Sequence, residues 1–256
     1  MEIPGQLYRL TELSDWKALR EALGRAPLTA VAVVDPLGPD GGIAEELREL
    51  LRAFPFATVL AALPVTPRDG ELLRTLLDCG VADFIVMGHE TTPVGVSRRL
   101  RLVRSRPVKR LLKRALPQGV PSRTQGMLTR AAEVVAVGGG APELAAALRV
   151  SPRTVPRWCE RADLPPPRRL FAWLRMLMAA ELLDQPQRSL ASVARACGYA
   201  NESSLKNTFR DFLGVGPSEL RKAGAFQTVA TAFARDLASV REHAHTAGRS
   251  RNVWLN

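Results

Sequence analysis

Three short apolar runs, at residues 29–34, 57–63 and 83–87, alternate with segments of helical spacing at 16–23, 43–53 and 69–77. The runs are apolar along nearly their whole length, which is the pattern of a strand covered on both faces. Strands joined through helices, with loops of a few residues, run parallel in one sheet. The front of the chain is therefore predicted to be an α/β domain, a parallel sheet flanked by helices. Beyond residue 87 the remainder reads as helical, so the second part is predicted to be all-α.

Charge divides the chain near the same place. Residues 1–97 hold 8 basic against 14 acidic residues, a net of −6, and residues 98–256 hold 28 against 11, a net of +17, which together give the overall +11. An acidic front on a strongly basic back points to a polyanion-binding module carrying a separate input or assembly module. The 256 residues suffice for two ordinary domains. The longest apolar runs fall far short of the ~20 residues a spanning helix needs, so no membrane association is expected. The opening MEIPGQLYRL has no leader character. Cys79, Cys159 and Cys197 lie far apart without CxxC spacing, which fits a reducing, cytoplasmic setting.

Residues 98–114 carry nine basic side chains and no acid, and read as a helix closing the sheet domain with a solvated face, the alternative being a polybasic stretch near DNA phosphates. Residues 115–126 mix Pro, Gly, Ser and Gln and read as a linker. The expected organisation is an α/β domain over 1–114, that linker, a helical domain over 127–224 and a helical tail over 225–256. In the tail, Val229, Phe233, Leu237 and Val240 form one stripe, suited to docking on the helical domain or to self-association, and the last residues are expected to be disordered unless Trp254 is anchored.

Two stretches of the basic half have the layout of a helix–turn–helix. In LAAALRVSPRTVPRWC, apolar or small residues at Leu144, Ala145, Leu148, Val150, Val155 and Trp158 allow two short helices to pack at a steep angle. Ser151 and Pro152 are expected at the N-cap and first position of the second helix. That helix would carry Arg153, Arg157 and Arg161 as one basic stripe, bent by Pro156. In SLASVARACGYANESSLKNTFRDFLG, Ala194 and Gly198 allow a close turn, and Asn201 or Ser203 caps the next helix. Leu205, Phe209 and Phe212 form its buried stripe, and Glu202, Ser203, Lys206, Asn207 and Arg210 its exposed face. Between the two, residues 168–183 carry a wide apolar face suited to a connecting helix.

These words, SPRTV, LRMLMAAELL and SVARACGYANESSLKNTFRDFLGVGPSELR, resemble the DNA-binding domain of the AraC/XylS family of transcription regulators across residues 127–223. The resemblance implies two helix–turn–helix motifs on a central helix, with recognition helices at 152–161 and 202–213. It implies base-facing positions at Arg153, Pro156 and Arg157, and at Glu202, Ser203, Lys206 and Asn207. Pro156 offers no donor, and Arg149 replaces the glycine usual at the first turn. Double-stranded DNA is the expected partner and contact with RNA polymerase is implied. A helix fits the major groove, where arginine can bind guanine bidentately and asparagine can bind adenine.

Residues 29–100 resemble a truncated, degenerate response-regulator receiver, through VAVVDPLGPDGG and LLDCGVADFIVMG, so the sheet domain is expected to be receiver- or flavodoxin-like. Asp35 falls on that family's phosphoacceptor position. Phosphoryl transfer there needs an acidic pair for Mg²⁺ and a cation, yet no acidic pair precedes Asp35 on a first strand, and Met87 stands where the lysine should be. Asp35 is therefore expected to cap a loop or helix in a domain that forms homodimers or binds a protein partner. The alternatives are a phospho-switched regulator using Asp35 and an oligomerising DNA-binding architectural factor. No enzyme, cofactor or metal site is expected: Gly138–Gly140 lack a phosphate-loop frame, and His243 and His245 point to different helix faces.

Overall fold

The structure, a computed structural model, describes residues 10–64, 69–88 and 92–252. The chain divides into two compact units between Pro107 and Val108.

The first unit holds α1 (Trp16–Arg25), β1 (Val31–Val34), α2 (Glu45–Ala53), β2 (Thr58–Leu63), α3 (Gly70–Cys79), β3 (Asp83–Val86) and α4 (Pro93–Arg104). The three strands form a parallel sheet in the order β1-β2-β3, with Val31 beside Thr58 and Leu60 beside Asp83. β2 is central, and its Val59, Leu60, Ala61 and Leu63 are fully buried, which is why its sequence shows no alternation. Leu23, Leu47, Leu50 and Leu76 from α1, α2 and α3 cover one face. Val96, Leu100 and Val103 of α4 cover the other, against Leu60 and Ile85. Asp15 caps α1 by accepting the Ala18 N–H at 2.8 Å, and Gly80, at φ 108°, ends α3 in the left-handed region that its lack of a Cβ permits.

Part of the basic run is spent on this unit. Arg99 pairs with Asp83 at 3.0 Å and Arg106 at 3.8 Å, while Arg106 also donates to the Ala82 carbonyl, so two cations fix the start of β3.

The second unit continues from α5 (Arg106–Ala115) through α6 (Ser122–Ala136), α7 (Ala141–Leu148), a 3₁₀ turn (Pro152–Thr154), α8 (Val155–Arg161), α9 (Pro167–Leu183), α10 (Leu190–Ala196), α11 (Glu202–Leu213), α12 (Pro217–Ala223) and α13 (Ala225–Asn252). α9 is apolar nearly all round and almost wholly buried, and an apolar helix of this kind has to be surrounded. Helices α6, α7, α8, α10, α11, α12 and α13 all pack on it. The stripe of α13 is used there: Phe226, Val229, Phe233 and Leu237 are buried. Asp184, just past α9, accepts the N–H groups of Ala225 (2.7 Å) and Phe226 (2.9 Å) and so caps α13. The backbone of α13 runs as helix to Asn252, farther than the tail was expected to be ordered. Trp254 and the side chains of His243 and His245 lie outside the described residues. Among the described residues no helix is long and apolar enough to cross a membrane.

The unit boundary falls ahead of the expected linker. From Val108 onward α5 belongs with the second unit, where Lys109 pairs with Glu133 at 2.7 Å and Arg114 with Glu181 at 2.8 Å. The Arg114 guanidinium also lies 4.0 Å from the ring centroid of Phe226, a cation–π contact. Only residues 116–121 separate α5 from α6. A fragment beginning at Val108 is accordingly expected to be more stable than one beginning at Ser122, by on the order of 1–3 kcal/mol, since the shorter fragment leaves Glu181 without its arginine. Equal midpoints in urea titration would count against this.

Burial raises the pKa of Glu181 above the ordinary 4.5, and Arg114 only partly offsets it. A carboxyl whose folded pKa is raised binds its proton more tightly in the folded chain, so it destabilises the fold as pH climbs from the ordinary value through the folded one. Glu181→Gln is expected to remove this component: as pH climbs from the ordinary 4.5 through the raised folded value, the parent should lose stability relative to the variant. Thermal melts that stay parallel across that range would contradict it.

Candidate nucleic-acid interface

The first helix–turn–helix is α7, the 3₁₀ turn and α8. α7 ends where Arg149 adopts φ 56°, with the N–H of Arg149 on the Ala146 carbonyl and that of Val150 on the Ala145 carbonyl. The left-handed position was legible as the site of a usual glycine, and arginine occupies it at a steric cost. Ahead of α7, a Cβ on Gly139 would meet Val134 Cγ1 at 2.8 Å, so this turn requires glycine. The Gly140 N–H is taken by Glu143 at 2.8 Å, capping α7.

The recognition helix starts later than its sequence implies. Residues 152–154 form the 3₁₀ turn and α8 begins at Val155, so Pro156 lies in the first turn, where a missing N–H breaks no bond and no bend is needed. Ser151 does not cap the backbone; its hydroxyl shares a 2.8 Å hydrogen bond with that of Thr154. Val155, Cys159 and Ala162 are the buried positions. Burial pushes the Cys159 thiol up to about 11, so it behaves as a small core side chain. This phase leaves Trp158, expected in the core, 38% exposed. Arg153, Arg157 and Arg161 are all exposed, but Arg153 projects from the 3₁₀ turn while Arg157 and Arg161 share the α-helix. They are not one continuous stripe.

The second motif is α10, a turn through Gly198 and α11. Gly198 has φ 74°, Ala194 is buried, and the Tyr199 N–H returns to the Ala194 carbonyl at 2.9 Å. Of the two candidate caps, Asn201 is the one used: its Oδ1 accepts the Ser204 N–H at 2.9 Å and its own N–H reaches the Ser204 hydroxyl at 3.3 Å. α11 ends at Gly214, φ 73°. Leu205 and Phe209 are fully buried. Ser203, Asn207 and Arg210 are exposed. Glu202 and Lys206 are half-buried and pair with each other at 3.5 Å, so Glu202 is held by a cation on its own helix. Phe212 is half-buried, its ring edge-on to Trp173 at 4.9 Å between centroids. Arg169, whose guanidinium lies 4.8 Å from the Phe212 ring centroid, and Asp236, which accepts hydrogen bonds from Arg169, left no sequence signal.

Asp35 sits in a different setting. It follows β1, is exposed, and accepts the Leu37 N–H at 3.0 Å, a local turn that Leu37 extends by bridging to Ile43. Among the described residues no group of three or more His, Cys, Asp or Glu side chains is placed to hold a metal ion. Asp35 caps its own loop through the Leu37 N–H.

Residues 144–223 match the family model of a helix-turn-helix domain. The matched segment opens inside α7 and closes at the end of α12, so it takes in both motifs and α9, while α5, α6 and α13 lie outside it. The chain is also similar to the HTH-type transcriptional regulator GbdR of two Pseudomonas aeruginosa strains, UCBPP-PA14 and PAO1, each 30% identical over 80 residues. The similar segment is 31% of this chain and 22% of each relative, so the chain spans about a fifth of their length. No solved structure matches the chain.

The turn itself offers a test. Replacing Arg149 by glycine removes the left-handed strain, and Arg149→Gly is expected to raise stability by about 0.5–1 kcal/mol in chemical denaturation. A loss of stability would show that the arginine side chain contributes more than its backbone costs.

Proposed function

We propose that this chain is a sequence-specific, DNA-binding transcription regulator of the AraC type, in which α8 and α11 enter successive major grooves of one duplex. The observation that carries the reading is the pair of helix–turn–helix motifs built on one buried helix, within a segment that matches a helix-turn-helix family. Two recognition helices on one support suit a duplex whose successive major grooves recur on one face about every 34 Å. The +17 charge of residues 98–256 supplies attraction to phosphate. The regulator role is carried by the similarity to a regulator over 80 residues.

Within this reading Arg157 and Asn207 are the base readers, one suited to guanine and the other to adenine. Arg153 and Lys206 contribute secondary contacts, Ser203 and Glu202 border the second reading face, and Arg161 and Arg210 hold phosphates. The acidic first unit serves assembly or a protein partner without phosphotransfer, a reading supported by Met87 standing where a receiver's lysine would be and by Asp35 accepting the Leu37 N–H within its own loop.

The test is to select duplexes from a randomised pool with the full chain, then measure binding across single-base variants of the selected site. Arg157→Ala and Asn207→Ala are each expected to cost about 1–3 kcal/mol on that site and to relax preference at one or two positions, a different set for each variant. Arg161→Ala is expected to weaken all sequences alike and to reduce the salt slope by about one unit. If Arg157→Ala and Asn207→Ala lower affinity evenly on every sequence, both are backbone clamps and the assignment of readers fails.

A further inference from the structure

We propose that α13, which lies beyond the matched domain, is a positioning element for the second recognition helix and acts through Asp236. The proposal rests on the DNA-reading function above.

The Asp236 carboxylate accepts three hydrogen bonds from α9. Arg169 gives two, from Nε at 2.9 Å and Nη2 at 2.8 Å, and Trp173 gives one from its indole Nε1 at 2.6 Å. A bidentate arginine–carboxylate pair fixes direction as well as distance. Held this way, the Arg169 guanidinium lies over the Phe212 ring, 4.8 Å from its centroid. Trp173, also tied to Asp236, meets the same ring at 4.9 Å and an interplanar angle of 88°. Phe212 belongs to α11, and two of the groups that wall it are oriented by one carboxylate on α13.

The consequence is rotational. Leu205 and Phe209 anchor the inner face of α11, and Phe212, at its C-terminal end, resists rolling of the helix about its axis. Without Asp236, the Trp173 indole N–H is left in a site only 1% exposed with no acceptor, and the Arg169 guanidinium turns to solvent. With a helix radius of about 5–6 Å including side chains, a roll of roughly 20° displaces an outward side chain by about 2 Å. That is enough to break a two-point hydrogen bond from Asn207 to a base edge. Among the described residues the clamp's bonds and ring contacts run to α9, α11 and α13, and none reaches α8. Asp236 is therefore a positioning residue for one reading helix and not for the other.

The experiment uses the full chain, the selected duplex and its single-base variants. Positions relaxed by Asn207→Ala define what α11 reads, and those relaxed by Arg157→Ala define what α8 reads. Asp236→Ala is expected to lower discrimination about tenfold at the first set and to leave the second unchanged. Asp236→Asn keeps an acceptor for Trp173 but loses the charge facing Arg169, and is expected to show the same pattern with a smaller loss. Phe212→Leu, approached from the other end of the clamp, is expected to reproduce the pattern. Both Asp236 variants should retain a cooperative thermal transition. Parent-like discrimination in Asp236→Ala, an equal loss at both sets, or absence of a cooperative transition in both Asp236 variants overturns the positioning role. Should Asn207→Ala and Arg157→Ala relax no position at all in the parent, it is the DNA-reading function that fails, and the inference built on it falls with it.

Discussion

The second unit depends on the burial of α9. A helix apolar on nearly every side has no solvent-facing solution, so its neighbours have to enclose it. Both helix–turn–helix motifs pack on it, one through α7 and α8 and the other through α10 and α11. A single buried rod thereby supports both α8 and α11.

Enclosing α9 also raises the problem of its polar groups. Past its C-terminus, Arg221 of α12 donates from Nε to the Leu183 carbonyl at 2.9 Å and from Nη2 to the Arg188 carbonyl at 2.8 Å. These bonds satisfy a last-turn carbonyl that the helix cannot satisfy internally. From the middle of α9, Arg175 donates to the Gly139 carbonyl at 3.1 Å, tying α9 to the turn before α7. Glu181, buried on α9, is met by Arg114 from α5. The helices flanking the matched domain on both sides thus help complete its core: α5 neutralises a charge, and α13 covers an apolar stripe and is capped in return by Asp184.

The basic run at 98–114 shows how one patch of sequence can serve two units. Arg99 and Arg106 neutralise Asp83 in the first, and Lys109 and Arg114 neutralise Glu133 and Glu181 in the second. At least four of its nine cations are therefore paired with acids. A cation already paired with a carboxylate is a weaker phosphate ligand, so the run's net charge overstates what it can offer to DNA.

The sequence by itself determined the elements whose signals are local. The three strands follow from their apolar runs, although only β2 is buried nearly throughout and Val33 of β1 is exposed, and the start of α11 was narrowed to Asn201 or Ser203 by capping chemistry that acts within one turn. The resemblance marked Arg149 as standing where a glycine is usual, and the structure shows it at φ 56°. Tertiary structure decided what local chemistry leaves degenerate. Proline at 156 is compatible with a bent helix begun at Pro152 or a straight one begun at Val155, and the buried seats for Val155 and Cys159 select the second, which turns Trp158 outward. The side of the boundary to which α5 belongs was settled by partners at Glu133 and Glu181, and the surroundings of Phe212 by Arg169 and Trp173, both hydrogen-bonded to Asp236 on a different helix. Hydrogen bonds and ion pairs between residues far apart in the chain leave no periodicity and no turn signature, because their strength depends on a distance that only the folded chain brings about.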